Sequence, residues 1–154
     1  MSNKIQIGSR RKGMAGYLNI DIEDHPGVDV VSDFRLLSFK DLDEIRSHHL
    51  FEHFSRAEAE DILDQWYSWL KVGGVLIIET PDFEGICKDF DKDPYWMTRH
   101  AYGSQGEEWA FHRSGWYEAA FRESLTKHGF EVTSIRKSKS RKILPNITAV
   151  ATKL

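Results

Sequence analysis

An α/β fold is what this sequence predicts: one mostly parallel sheet layered with helices and finished by an antiparallel C-terminal hairpin. Three observations carry that expectation. Short β-favouring runs, each stopped by glycine or a polar residue, fill the first third of the chain. The run VLIIETP, Val75 to Pro81, is continuous and apolar, as expected of a central parallel strand buried on both faces. A helix with an apolar stripe precedes that run, and a later helix is followed by two strand-like runs with no helix between them.

Taken in order, KIQIG (Lys4 to Gly8) reads as a strand ended by glycine, and a polar loop follows to Gly16. YLNIDI (Tyr17 to Ile22) alternates and ends in acid; after the turn EDHPG, VDVVSDF (Val28 to Phe34) gives a third strand. LDEIRSHHL (Leu42 to Leu50) is a fourth strand or the start of a helix, since no period decides a run this short. Ser55 with Glu58 forms a capping box opening a helix whose stripe is Ala59, Ile62, Leu63, Trp66, Tyr67 and Leu70. Gly73-Gly74 is read as its end. From Asp82 to Gly115 no period is sustained, and this aromatic-rich stretch reads as a long irregular segment of the kind that is often functional. WYEAAFRESLTKHGF forms a helix ending at Gly129, and FEVTSIRKS and ITAVATKL form the final strands, joined by the basic connection KSRKILPN with Pro145.

With 154 residues the chain is expected to form a single domain. It is 40% hydrophobic and 29% charged with a formal net charge of −3, which excludes a generically basic nucleic-acid binder. Cys87 is the single cysteine, so neither an intrachain disulfide nor a cysteine-based zinc cage can form, and a reducing cytoplasm fits. No stretch has signal-peptide character or approaches the roughly 18 apolar residues of a membrane span, so a soluble, unprocessed, cytoplasmic protein without membrane partners is expected.

The segments IGSRRKGMAGYLNIDI, DVVSDFRLLSF, EIRSHHLFEHF and WLKVGGVLIIETPDFEGI, with YGSQ, FHRSGW and HGFEV further on, follow one another over nearly the whole chain. In that order they resemble class I S-adenosylmethionine-dependent methyltransferases, in particular a small branch with GY-x-N-x-D at strand two and L-E-H-F after strand four. The resemblance implies a Rossmann-like sheet with N-terminal helices reduced or missing, and S-adenosylmethionine as cofactor. It places Gly8 where a bare backbone approaches the cofactor's methionine portion. Asp21 takes the position of the acid that accepts from the ribose hydroxyls, Asp33 faces the adenine amino group, and Phe34 or Leu36 packs near the ring. His49 lies at the sheet's carboxyl edge. Arg10, with Arg11 and Lys12, would meet the cofactor's carboxylate or an acidic substrate, because guanidinium forks pair with carboxylates; a solvated basic loop is the plain alternative. Two departures stand out. Only Gly8 survives of the usual acid plus G-x-G-x-G, and the Gly8–Tyr17 interval is too short for a crossover helix, so a loop has to make that connection.

HHLFEH, His48 to His53, also contains His-x-x-Glu-His, a zinc-peptidase spacing. That chemistry needs both histidines on one helical face, whereas the helix signal begins only at Ser55, so no metal ligand is assigned and a zinc hydrolase is the remotest of three readings. In the methyltransferase reading His49 and His53 line the active site, and His53 is a candidate general base because imidazole titrates near neutrality. Alternatively, Glu52 and His53 merely cap or orient the next helix. His112 in FHRSGW resembles a family position near the acceptor pocket, with Tyr102 and Gln105 upstream, and is the second catalytic candidate; a hydrogen-bonded loop histidine is its plain alternative. Tyr95, Trp96, Tyr102, Trp109 and Trp116 line the acceptor pocket or cover the sheet. Asp82 reaches the acceptor or forms a turn, and Cys87 reads as an ordinary apolar residue. The expected acceptor is a small molecule or sugar, with nucleic acid not expected and homodimerisation open. The rival from another class is a non-catalytic binding or oligomerisation module that keeps the fold.

Overall fold

The computed structural model describes residues 3–10 and 12–154. Seven strands form one sheet in the order β3-β2-β1-β4-β5-β7-β6. Strands β1 (Lys4–Ile7), β2 (Leu18–Asp21), β3 (Val30–Val31), β4 (Leu42–His48) and β5 (Leu70–Pro81) run parallel, while β7 (Leu144–Lys153) is antiparallel to β5 and to β6 (Phe130–Ser140). The mostly parallel sheet with an antiparallel C-terminal pair is therefore as expected, and Leu42–Leu50 resolves in favour of a strand.

β1, β2, β3 and β4 are joined without any α-helix among the described residues; only a 3-10 turn, Phe34–Leu36, lies on those connections. Helices α1 (Arg56–Trp69) and α4 (Glu118–Lys127) pack on one side of the sheet. Their Ile62, Leu63, Trp66, Phe121 and Leu125 meet Ile5, Ile7, Ile20, Ile45, Leu76, Ile78, Ala149 and Ala151 in one core. The other side carries Glu44, Arg46, Val75, Ile77, Glu79, Thr148 and Val150, all partly exposed. VLIIETP is central but not buried on both faces: Leu76, Ile78 and Thr80 are inside, whereas Val75, Ile77 and Glu79 are only partly covered.

The Ser55 capping box is present as read: its hydroxyl accepts from Glu58 N, and Glu58 Oε2 accepts from Ser55 N. The helix end differs. α1 stops at Trp69, Leu70 already belongs to β5, and Gly73-Gly74 sit within that strand. They shape an irregularity in which the pairing jumps from Leu42↔Leu70 to Glu44↔Val75. Gly73 has φ +78, and a Cβ on Gly74 would lie 2.8 Å from Lys71 O, so both positions require glycine for backbone reasons that mimic a helix terminator in sequence.

The stretch read as irregular contains α2 (Phe83–Asp89), α3 (Pro94–Tyr102) and two 3-10 turns. The helices are too short to show a period, but α3 has a readable start: the Asp93 side chain accepts from Trp96 N, and Pro94 occupies the first turn. Cys87, which reads as an ordinary apolar residue in the sequence, is exposed on α2. The last connection is also tighter than KSRKILPN suggests, because the strands reach Ser140 and Leu144 and leave a turn in which Arg141 and Lys142 have positive φ. No described helix is long and apolar enough to cross a membrane.

Candidate functional site

The carboxyl ends of the parallel strands converge on a groove of about 220 Å³. Gly8 ends β1 with φ +75 and donates its N–H to Ile20 O at 2.9 Å; a Cβ there would stand 3.1 Å from Leu50 Cβ. Asp21 ends β2, is 8% exposed, and accepts from Arg10 N at 2.8 Å through Oδ2 and from Glu23 N at 3.1 Å through Oδ1. Each oxygen keeps a second lone pair for a hydroxyl. The same aspartate thus orders both adjoining loops and borders the groove.

Gly8, Arg10, Asp21, Asp33, Phe34, His49 and His53 all line this groove, and Arg35, Leu50, Trp109 and Arg113 join them. Several differ in detail from expectation. Asp33 is already held by Arg35, whose Nη2 donates at 2.8 Å; that hydrogen bond outweighs burial and lowers the carboxyl's pKa. Phe34 is 3% exposed and packs edge-on to Phe54 and against Trp66, so it forms the groove's floor as a core residue. Leu36 is 82% exposed and does not line the groove. The Arg10 guanidinium lies 5.9 Å from the Trp109 ring centroid, a pairing on the groove's lining that the sequence does not single out. Arg11 lies outside the described residues. Of the other aromatics, Trp116 is buried against Phe51 and Phe121, a packing role.

One end of the groove meets a histidine cluster. β4 ends at His48; His49 then takes φ +48, and Phe51–His53 form a 3-10 turn, so the two histidines of the His-x-x-Glu-His spacing do not share an α-helical face. This removes the helical geometry that the zinc-peptidase reading needs. The carbonyl of Glu52 accepts from Arg113 N at 2.8 Å and Ser114 N at 3.2 Å. Those bonds bring His112 beside Glu52, 60 positions of chain folding back onto the tail of β4, and put the His53 and His112 rings 4.7 Å apart. His112 lines a small adjoining recess with Glu52 rather than the main groove.

The electrostatics of this end are uneven. Burial pulls His49 down, but the carboxylates of Glu52, at 3.4 Å, and Glu79, hydrogen-bonded at 3.0 Å, outweigh it and raise its pKa to about 9. His48 and His49 hold the Glu79 carboxyl well below the usual range. Burial lowers His112 and His100, so both stay neutral near pH 7. Asp82, which was weighed as an acceptor contact, is 2% exposed at the start of α2, with Lys137 Nζ 3.7 Å from its Oδ2.

No family model and no curated protein matches this chain. Solved structures do. An S-adenosylmethionine-dependent methyltransferase from Methanosarcina mazei superimposes with a TM-score of 0.66 at 15% identity, covering 98% of this chain and 92% of that one. The class I methyltransferase fold is present. The 1,6-didemethyltoxoflavin-N1-methyltransferase of Burkholderia thailandensis, solved with its substrate and S-adenosylhomocysteine, gives 0.67 at 12% identity over 97% and 70% of the two chains. Magnesium protoporphyrin IX methyltransferase from Synechocystis, with S-adenosylhomocysteine bound, gives 0.64 at 14% identity over 98% and 74%. At such identities the fold alone is shared, with the acceptors belonging to those proteins.

Proposed function

We propose that the chain is an S-adenosylmethionine-dependent methyltransferase acting on a small-molecule or sugar acceptor. The observation that carries this reading is the convergence of Gly8, Asp21, Asp33 and His49, drawn from the ends of β1, β2, β3 and β4, on one groove at the carboxyl edge of the sheet. The groove fits the cofactor's parts: bare backbone at Gly8, a carboxylate with free lone pairs at Asp21, and apolar Ile22 and Phe34 beside Asp33. When bound, S-adenosylmethionine supplies an electrophilic sulfonium methyl. The chain's own contribution is chiefly to position the two partners, which needs few reactive side chains.

At the acceptor end, His53 and His112 each use Nδ1 on a backbone carbonyl, Phe111 O at 3.1 Å and His100 O at 3.0 Å. A carbonyl only accepts, so Nδ1 carries the proton in the neutral tautomer of each ring, and there Nε2 holds the lone pair. Either ring is therefore able to receive the acceptor's proton. Trp109 and Arg10 line the same groove, 5.9 Å from ring centroid to guanidinium. The single cysteine is compatible with the reducing cytoplasm in which we place the protein. Titration calorimetry with S-adenosylmethionine and S-adenosylhomocysteine tests the reading; a folded sample that binds neither would sink it in favour of a non-catalytic module.

A further inference from the structure

Glu52 poses a problem that methyl transfer does not solve. Its side chain is 2% exposed, yet neither carboxylate oxygen receives a hydrogen bond from any described residue. The His49 imidazolium, its Nδ1 3.4 Å from Oε1, offers charge pairing without a hydrogen bond, and the neutral His112 ring holds Nε2 3.9 Å from the same oxygen, which leaves Oε2 with no partner among the described residues. Buried carboxylates are ordinarily paired or bound to metal. His53 completes a group with Glu52 and His112 in which one ligand atom from each lies within 4.8 Å of the others.

The orientation of the two rings matters more than their proximity. Both histidines direct Nδ1 at a main-chain carbonyl, which accepts only, so the neutral ring is held as the tautomer whose Nε2 carries the lone pair. Metal-binding histidines are held by this kind of outer hydrogen bond. The backbone bonds from Arg113 and Ser114 to Glu52 O fix the two chain segments to each other, so the donor set is built into the fold rather than gathered on the surface.

From these contacts we propose that Glu52, His53 and His112 bind one divalent first-row transition-metal ion, such as Mn²⁺, Fe²⁺, Co²⁺ or Zn²⁺. Two neutral imidazoles and one carboxylate suit such ions better than Ca²⁺ or Mg²⁺, which favour all-oxygen sets. Bonds of about 2.1 Å put neighbouring donors roughly 3 to 3.5 Å apart, so the three side chains have to draw in by about 1 Å, within reach of small side-chain rotations. Three protein ligands leave positions open. Because His53 lines both this cluster and the main groove, an open position faces the acceptor end. There the ion would hold a hydroxyl oxygen of the acceptor and lower its pKa, and the proton would leave to solvent, because with the ion bound the Nε2 atoms of His53 and His112 are ligands and no longer bases. That last step rests on the methyltransferase reading; the metal site does not. The helical zinc motif read in HHLFEH is thus replaced by a different donor set, one that shares His53 and recruits His112 from the far side of the chain.

The test uses the full chain after chelator treatment and buffer exchange. Zn²⁺ and Mn²⁺ titrations by calorimetry, with Co²⁺ followed by its visible absorption, should show one ion per chain. His53→Gln and His112→Asn should each weaken binding by at least about 100-fold, while His128→Gln and His25→Gln, outside the cluster, should leave it unchanged. Circular dichroism establishes that each variant is folded, and His53, the least buried of the three, remains informative if Glu52→Gln or His112→Asn unfolds. Absence of one-to-one binding would overturn the proposal, as would unaltered binding in folded His53→Gln, which would put the ion elsewhere, for instance at His48, His49 and Glu79. A chain that binds S-adenosylhomocysteine but no metal refutes this site alone; one that binds metal but no S-adenosylhomocysteine refutes the methyltransferase reading alone.

Discussion

Replacing Gly8 by alanine separates two costs that the structure makes unequal. The backbone there sits at φ +75, where an L-residue loses about 1–2 kcal/mol. The new methyl would also lie 3.1 Å from Leu50 Cβ, an atom that no side-chain rotation can move away. Relieving that contact by a backbone shift adds about 1 kcal/mol, for a total of about 2–3 kcal/mol. In a domain of this size each kilocalorie lowers Tm by roughly 2–4 °C. Gly73→Ala supplies the control, because Gly73 has φ +78 but an added Cβ meets nothing within 4 Å. Thermal melts should therefore place Gly8→Ala below Gly73→Ala by roughly 2–4 °C. Only Gly8→Ala should weaken S-adenosylhomocysteine binding, by roughly tenfold or about 1.4 kcal/mol, since Gly8 and Leu50 form one wall of the groove. Equal melting of the two variants with unchanged affinity would refute the close approach and the role drawn from it.

Asp21→Ala should lower S-adenosylhomocysteine affinity by about 1.5–3 kcal/mol, the range for a hydrogen bond to a charged group, and calorimetry that finds the same Kd would remove Asp21 from the site. Phe51→Ala, at a fully buried ring packed on Trp66, Trp116 and Phe121, should cost about 3–5 kcal/mol in urea unfolding. A pH-dependent effect is expected at His128, whose ring pairs with Glu60 and Asp64 at 2.6 Å each. Burial depresses this histidine, but the two carboxylates outweigh burial and leave its pKa above the ordinary 6.5, so its contribution is full below pH 6.5 and fades as pH rises through the raised value. His128, with help from Lys127, brings Glu60 from 4.5 to about 2, a contribution present above pH 4.5 and lost as pH falls toward 2. The His128→Gln stability deficit should accordingly be largest between pH 4.5 and 6.5 and shrink in alkali; a deficit that grows toward pH 9 would contradict the pairing.

The strands themselves were legible where side chains alternate or run apolar, as in KIQI, LNID and LIIET, and α1 was legible because Ser55 and Glu58 announce it locally; the order of the strands in the sheet was not. Gly73-Gly74 misled because glycine serves a strand irregularity as well as a helix terminus: Gly73 takes the positive φ that helix-ending glycines take, and Gly74 sits where a Cβ has no room. α2 and α3 escaped notice since neither spans enough turns to display a period, although Asp93-Pro94 marked one start. At the site, the groove residues from Gly8 to His49 were implied by the family resemblance, carried by short segments at successive strand ends, and they line one groove. Glu52 was read as a cap because its meaning depends on His112, which only the backbone bonds from residues 113 and 114 bring to it. The Arg10–Trp109 pairing is hidden for the same reason: its members lie far apart in the chain.

The one-sided sheet has a bearing on how this chain tolerates change over generations. Alternate positions of β4, β5 and β7 answer to different constraints: Ile45, Leu76, Ile78 and Ala149 are locked by the rings of α1 and α4, while Arg46, Val75, Ile77 and Val150 contact water on a face without that packing. Substitutions should accumulate on every second residue, leaving a striped record along each strand. Pairwise identity then falls quickly while the groove's strand ends and the packed stripe persist, so a chain of this kind is better recognised by its backbone than by its letters.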